Sequence, residues 1–504
     1  MPKEFIVAIE LGSSKITGVA GKKNLDGSIS ILAVVQEDST SCIRKGVVYN
    51  IDKTVMCLTN IVKKLETTLK SKIAHVYVGV GGQSIRSMKN VIVKEMTEET
   101  VVSPEMINEL MDANRNMSYP EQEILDAATQ EYKVDQQYQI DPVGIQCTRL
   151  EGNFLNILWR KSFYRNLNKC FDQAGIAIAE MYLAPLAMAD SVLTETEKRA
   201  GCVLVDLGAD TTTVSVYFKN ILRHLAVIPL GSNNITKDIA TLQMEEVDAE
   251  RMKLKHGSAF TDNSDIDNSL SLSIDQDRSI MSRDFINIVE GRLQEIIENV
   301  WFQVPNEYID KLLGGIIITG GGSNMRNIER AFRNHTHIDK IRVARFITTT
   351  VHANQAEITA HNGMMNTVLG LLEKGDMNCA GEEITGDLFG GSTTTDGTAP
   401  AGDVQHKNAR PITEISGKGI VQTEEEKKKV EEEARLKREA EEAEQRRKEA
   451  EETERLRREK RENSWWNKLF RGMKNFGETI IKEEESSFLS IRNRNPVNRK
   501  SRKS

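Results

Sequence analysis

Two short segments place an acid at the end of an apolar strand and follow it with Leu, Gly and small polar residues. They are Ala8-Ile-Glu10-Leu-Gly12-Ser13-Ser14-Lys15 and Leu204-Val-Asp206-Leu-Gly208-Ala-Asp210-Thr211-Thr212. A constant offset of 196 residues relates them, and a strand-like run follows each. A hairpin turn of this composition exposes backbone N–H groups, and glycine lets a ligand approach closely, so two such turns suit a polyphosphate gripped from both sides. Carboxylates repel anions, so Glu10 and Asp206 make sense as partners of a Mg²⁺ ion through its waters, with Lys15 meeting a phosphate charge. Ordinary tight turns with surface acids are the plainer alternative. Asp210 sets an acid among the amides of the second turn, where it repels phosphate unless a cation or the geometry intervenes. A third cluster, Thr319-Gly320-Gly321-Gly322-Ser323, ends an apolar strand and precedes a helical pattern. Backbone this bare suits a flat base or ribose beside a helix N-terminus. No G-x-x-x-x-G-K-[ST] and no G-x-G-x-x-G after a strand occurs, which argues against a P-loop and a dinucleotide fold.

The elements that must position these residues are readable as pattern. Phe5–Ile9, Ile16–Ala20 and Ile29–Val35 read as an antiparallel meander, and Ile221–Ile228 as the third strand of its second copy. Val55, Leu58, Ile61, Val62, Leu65 and Leu69 follow helical spacing, and His75–Val80 reads as a further strand. Val91–Val93 and Glu131–Val134 read as strands, and Ser103–Asn114 and Ser282–Val300 as helices.

Composition bounds the class. The chain has 504 residues and a net charge of −7. Residues 463–504 carry ten Lys/Arg against four Glu, about +6, which leaves about −13 on the rest. A nucleic-acid-binding body is therefore not expected. No apolar run is long enough to span a bilayer, and the opening Met1-Pro-Lys-Glu-Phe lacks a signal-peptide pattern. The six cysteines are scattered and read as reduced thiols. Residues 376–423, rich in Gly, Thr, Ser and Asp, read as a flexible linker. In residues 424–462, 30 of 39 side chains are charged. Such a block forms a solvated helix, a coiled coil or a disordered tether.

The three clusters, in this order, resemble the phosphate-1, phosphate-2 and adenosine motifs of the actin/Hsp70/sugar-kinase ATPase superfamily. Within it, the chain resembles the FtsA family of bacterial cell-division proteins. Glu10 in the first motif, Tyr182-Leu-Ala-Pro-Leu-Ala-Met-Ala-Asp-Ser-Val-Leu-Thr-Glu, Leu222-Arg-His-Leu-Ala-Val-Ile-Pro-Leu-Gly231 and Ala249-Glu250-Arg-Met-Lys253-Leu-Lys-His-Gly carry that likeness. It covers about residues 1–375. It implies an α/β, two-lobed actin-like fold, duplicated and ribonuclease-H-like, with an FtsA-type 1C subdomain.

The implied division is 1A at 1–81 and 159–199, 1C at 82–158, 2A at 200–231, 2B at 232–308, and 2A with a return to 1A at 309–375. The resemblance implies ATP and Mg²⁺ as ligands. Gly12, Ser13, Ser14, Lys15, Asp206, Gly208, Thr211, Thr212, Gly231, Glu250, Lys253, Gly320, Gly321 and Gly322 would line the nucleotide, and Glu10 and Asp206 the metal. It also implies self-polymerisation through 1C, binding of the C-terminal peptide of the tubulin-like FtsZ on 2B, with Arg292 as a contact, and recruitment of later division proteins. Residues 184–193 offer no Gln or His to orient a water, so no catalytic residue is assigned and ATP turnover is expected to be weak or negligible. A small-molecule kinase or ATPase of the same superfamily, or a scaffold that no longer binds nucleotide, are the alternatives.

Residues 463–482 read as an amphipathic helix without any resemblance. Trp465, Trp466, Leu469, Phe470, Met473, Phe476 and Ile480 share one face, and Lys468, Arg471 and Lys474 lie on the other. Aromatics opposite cations suit the plane of an anionic membrane; the resemblance implies that this is the cytoplasmic face of the bacterial inner membrane at the division site. Docking on a partner protein is the alternative. Residues 483–504 form a basic tail.

Overall fold

The computed structural model describes residues 4–267 and 269–383. The linker beyond 383, the charged spacer, the amphipathic helix and the basic tail lie outside the described residues.

The chain opens with β1 (Ile6–Leu11), β2 (Lys15–Lys23) and β3 (Ile29–Asp38), then α1 (Ile51–Leu69) and β4 (Val76–Val80). A second unit follows: β5 (Arg86–Val101), α2 (Pro104–Arg115), β6 (Gln122–Val134), β7 (Gln137–Gln139) and β8 (Gln146–Arg160). The chain returns through β9 (Ile178–Leu183) and α3 (Ala184–Val192). The other lobe holds β10 (Cys202–Leu207), β11 (Thr212–Phe218), β12 (Ile221–Ile228), α4 (Ser232–Ala240), α5 (Glu246–His256), α6 (Ser282–Gln303), β13 (Gly315–Thr319) and β14 (Ile341–Val343). Helix α7 (Asn366–Lys374) comes back across α3.

Strand order shows the duplication. One sheet reads β9-β4-β1-β2-β3 and the other β14-β13-β10-β11-β12, the same order twice. In each, three antiparallel strands are joined on one side by parallel ones. Such strands are buried on both faces and read as near-continuous apolar runs. Val203–Val205 and Ile316–Ile318 are accordingly at most 1% exposed. The two-lobed actin-like fold expected from the sequence is the one observed.

Local chemistry explains the helices. Asn50 caps α1 by accepting from Lys53 N–H, and Leu58, Ile61 and Leu65 bury the helix on the first sheet. Ser103 caps α2 in the same way through Met106 N–H.

Residues 82–158 supply strands in the order β7-β6-β8-β5 and enclose a separate small core of Leu110, Tyr132, Leu150 and Phe154. These strands extend the sheet of the second lobe at the edge of β12, where Ala226 pairs with Arg86. Gln130 Nε2 donates to Leu222 O at 2.9 Å, and Arg223 pairs with Glu131 at 3.1 Å.

Residues 376–383, assigned to a flexible linker on composition, are instead held on the body. Tyr77 Oη accepts from the N–H groups of Asp376 and Met377. Cys379 is fully buried, and Ala380–Glu383 pairs with Ser71–Ile73. A single buried side chain and a few backbone bonds suffice to fix a polar segment, and composition does not register them.

Candidate functional site

The two acid-Leu-Gly turns have one geometry. Glu10 pairs with Thr17 and Leu11 with Ile16; 196 residues later Asp206 pairs with Thr213 and Leu207 with Thr212. Gly12 N–H donates to Lys15 O at 3.0 Å, and Gly208 N–H to Thr211 O at 2.9 Å. A Cβ on either glycine would lie 2.7 Å from that same carbonyl oxygen, so only glycine closes either turn without a shift.

The acids end equivalent strands of the two sheets. Glu10 lies opposite Gly79 and Asp206 opposite Thr319. Burial and the neighbouring Asp206 charge push the Glu10 carboxyl up to about 8, against a hydrogen bond from Thr367 that pulls it down. Burial alone pushes Asp206 up to about 6. By accessible area both side chains keep partial exposure, so they line a recess rather than the packed core. Two desolvated carboxylates that repel each other are a poor site for a bare anion and a good one for a divalent cation. Their oxygens are the donors Mg²⁺ takes, and Mg²⁺ commonly uses one or two carboxylates and keeps its waters. The residues present therefore fit that ion. Among the described residues no cluster of three or more His, Cys, Asp or Glu side chains could hold a metal.

The glycine cluster borders the second turn. A Cβ on Gly320 would meet Asp206 Oδ1 at 2.3 Å, and one on Gly322 would meet Leu207 Cβ at 2.9 Å. Gly321 faces Met364, whose Sδ lies 3.5 Å from the position of a Cβ. Thr319 and Asn366 are fully buried and joined, Asn366 Nδ2 donating to Thr319 Oγ1 at 2.9 Å.

The remaining expected residues divide by what they touch. Ser14 and Lys15 are exposed, and Lys15 Nζ donates to Gln36 Oε1 at 3.3 Å. Ser13 is buried and accepts from Gly46 N–H at 2.8 Å. Thr211 is half-buried, and its backbone carbonyl closes the second turn. Thr212 is fully buried, with its hydroxyl on Leu230 O at 2.9 Å, so it braces the strand ends. Gly231 N–H donates to Asn234 Oδ1 at 3.0 Å, and the glycine abuts the Ala209 carbonyl.

Lys253 has 5% of its side chain exposed and pairs with Glu250 at 2.6 Å. It also donates to Thr236 Oγ1 at 2.8 Å, tying α5 to α4. Arg292 on α6 forks onto Asp238, at 2.5 and 3.0 Å, and also bonds Glu295. It is therefore already engaged within its own lobe. The membrane-facing set from Trp465 to Ile480 lies outside the described residues. Asn366, Thr367 and the Lys45–Gly46 pair lie in no motif that the sequence offers.

A family model described as "Cell division protein FtsA" matches residues 203–370, and one described as "SHS2 domain inserted in FTSA" matches residues 82–158. The cell division protein FtsA of Porphyromonas gingivalis is 32% identical over 332 residues, spanning 64% of this chain and 69% of that one. The chain belongs to the FtsA family. The Neisseria meningitidis serogroup B member is also 32% identical, over 65% of this chain and 80% of its own length. Among solved structures, the PilM–PilN type IV pilus biogenesis complex matches at 15% identity with a TM-score of 0.51, covering 73% of this chain and 97% of that one. That likeness concerns the fold alone.

Proposed function

We propose that the cleft binds ATP with Mg²⁺, and that the chain tethers an FtsZ ring to the cytoplasmic face of the bacterial inner membrane. In this reading the body polymerises with itself, takes the FtsZ C-terminal peptide and recruits later division proteins. The helix at 463–482 holds the assembly on anionic lipid. One anchor binds reversibly, and a filament of anchors binds with avidity. The observation that carries the nucleotide part is the pair of superposable turns, one from each lobe, whose acids need a cation between them. Membership of a cell-division family supports the rest.

Glu10 and Asp206 would hold the ion, the Gly12–Lys15 and Gly208–Thr211 turns would present amides to the phosphates, and Gly320–Gly322 would lie beside the nucleoside. The chemistry supplied by the ion would be neutralisation of phosphate charge. Nucleotide acts as a structural or polymerisation ligand with weak turnover. Helix α3 contributes no water-orienting Gln or His, and its one ionisable side chain, Asp190, is engaged by Lys198 at 2.7 Å and Lys374 at 2.6 Å. Titration calorimetry of the full chain with ATP, with Mg²⁺ or EDTA, tests this. Binding that needs Mg²⁺ and is lost in Asp206→Asn supports the reading; equal binding with EDTA, or none, contradicts it.

A further inference from the structure

A short loop after β3 touches both phosphate turns at once. Lys45 N–H donates to Asp210 Oδ2 at 3.2 Å, and the next amide, Gly46 N–H, donates to Ser13 Oγ at 2.8 Å. Ser13 belongs to the first turn and Asp210 to the second, so consecutive amides hold one member of each. The other carboxylate oxygen of Asp210 accepts from Asn233 Nδ2 at 2.9 Å, which fixes the side chain at the head of α4.

The same loop reaches the inserted sheet. Gln83 N–H donates to Lys45 O at 2.8 Å, at the start of residues 82–158. Trp159 Nε1, at their end, donates back to Gln83 O at 3.1 Å. Gly46 and Gly82 cross in direct contact: a Cβ on Gly46 would lie 2.5 Å from Gly82 Cα, and one on Gly82 would lie 2.4 Å from Gly46 O. Lys45, Gly46, Gly82 and Ser84 all have positive φ, at 49, 72, 102 and 70°. Non-glycine residues in that region persist only where their surroundings over-determine them, and such strain gathers at switches and clamps.

We infer that Asp210 is a latch between the lobes: through the Lys45–Gly46 amides it holds the two phosphate turns together and ties their separation to the inserted sheet. This rests on the nucleotide reading of the cleft, and it reverses the expectation drawn from Asp210 in the sequence. The carboxylate is turned onto a lobe-one amide and Asn233 rather than left among phosphate-binding amides. Asp210 is a positioning residue, acting on the turns and not on the ligand. A wider separation of the turns breaks the Lys45 bond, and Lys45 O passes that movement to Gln83.

The test uses the full chain, with release of a fluorescent ATP analogue chased by unlabelled MgATP. Amide hydrogen exchange over residues 43–48 and 82–86 is followed in parallel. Asp210→Ala is expected to release the analogue at least about fivefold faster and to lose protection at both Lys45 and Gln83. Asp210→Asn keeps an oxygen for the Lys45 amide, and the Asn233 amide can turn to accept from it, so release within about twofold of the parent is expected. Lys45→Ala keeps the donating N–H and is expected to change neither readout. Unchanged release in Asp210→Ala overturns the latch. Slower release also overturns it, since the carboxylate then competes with phosphate. If the parent chain binds no analogue, the nucleotide reading fails separately. Hydrogen exchange then decides the latch alone: lost protection at Gln83 in Asp210→Ala supports it, and unchanged protection refutes it.

Discussion

Replacing Glu10 with Gln should stabilise the ligand-free protein at alkaline pH. Glu10 titrates near 8 in the folded protein, because burial and Asp206 disfavour its charge, against an ordinary value of 4.5. An acid raised in this way contributes stability that is full below its unfolded pKa and is lost as pH rises toward the folded one. Between pH 5.5 and pH 8 the loss amounts to at most about 3 kcal/mol at 1.36 kcal/mol per unit. Gln carries no charge to desolvate and can keep the hydrogen bond with Thr367. Thermal unfolding in EDTA should therefore show the parent losing several degrees between pH 5.5 and pH 8, taking roughly 1–2 °C per kcal/mol for a body of this size. Glu10→Gln should lose much less. Mg²⁺ should restore the parent at pH 8 and do little for the variant. A parent whose melting temperature rises with pH over that window, or a variant that tracks it, refutes the picture of two repelling carboxylates in a desolvated cleft.

Two further perturbations read other parts of the cleft and lobe. Lys253→Met removes a buried cation from Glu250, Thr236 and the Ser232 carbonyl, and should cost about 2 kcal/mol in chemical denaturation without ligand; unchanged stability would make Lys253 a ligand contact only. Asp238→Ala releases the Arg292 guanidinium from its forked partner, leaving only Glu295, and should tighten binding of an acidic FtsZ C-terminal peptide roughly fivefold by fluorescence anisotropy, equivalent to about 1 kcal/mol; no change would place the peptide elsewhere.

The duplicated hairpins were legible because they are local. An acid, a Leu and a Gly at fixed spacing, flanked by apolar runs, determine both the turn and its register, and the Glu10–Thr17 and Asp206–Thr213 pairs repeat it without a slip. Helix α6 starts at Ser282 and α2 is capped by Ser103, as the patterns indicate, though α6 runs on to Gln303. What escaped is long-range. Arg292 and Asp238 lie 54 residues apart and meet only because α6 packs on α4. The resemblance places Lys253 beside the nucleotide, and nothing in its local pattern shows that tertiary packing buries it. The Lys45–Gly46 loop holds no motif; its role comes from lying between two turns 196 residues apart. Strand Ala380–Glu383 is hidden in a polar stretch, because edge pairing uses backbone and needs little apolar surface.

The tethering claim is tested most directly by co-sedimentation with anionic vesicles and MgATP, with and without an FtsZ C-terminal peptide. Three proteins are compared: the full chain, a chain ending at Glu462, and the full chain carrying Trp466→Glu. The account predicts that only the unmodified full chain pellets and that it brings the peptide down with it. Pelleting of all three would place lipid binding in the body, and retention of all three in the supernatant would make residues 463–482 a protein-docking helix; either result contradicts the tether.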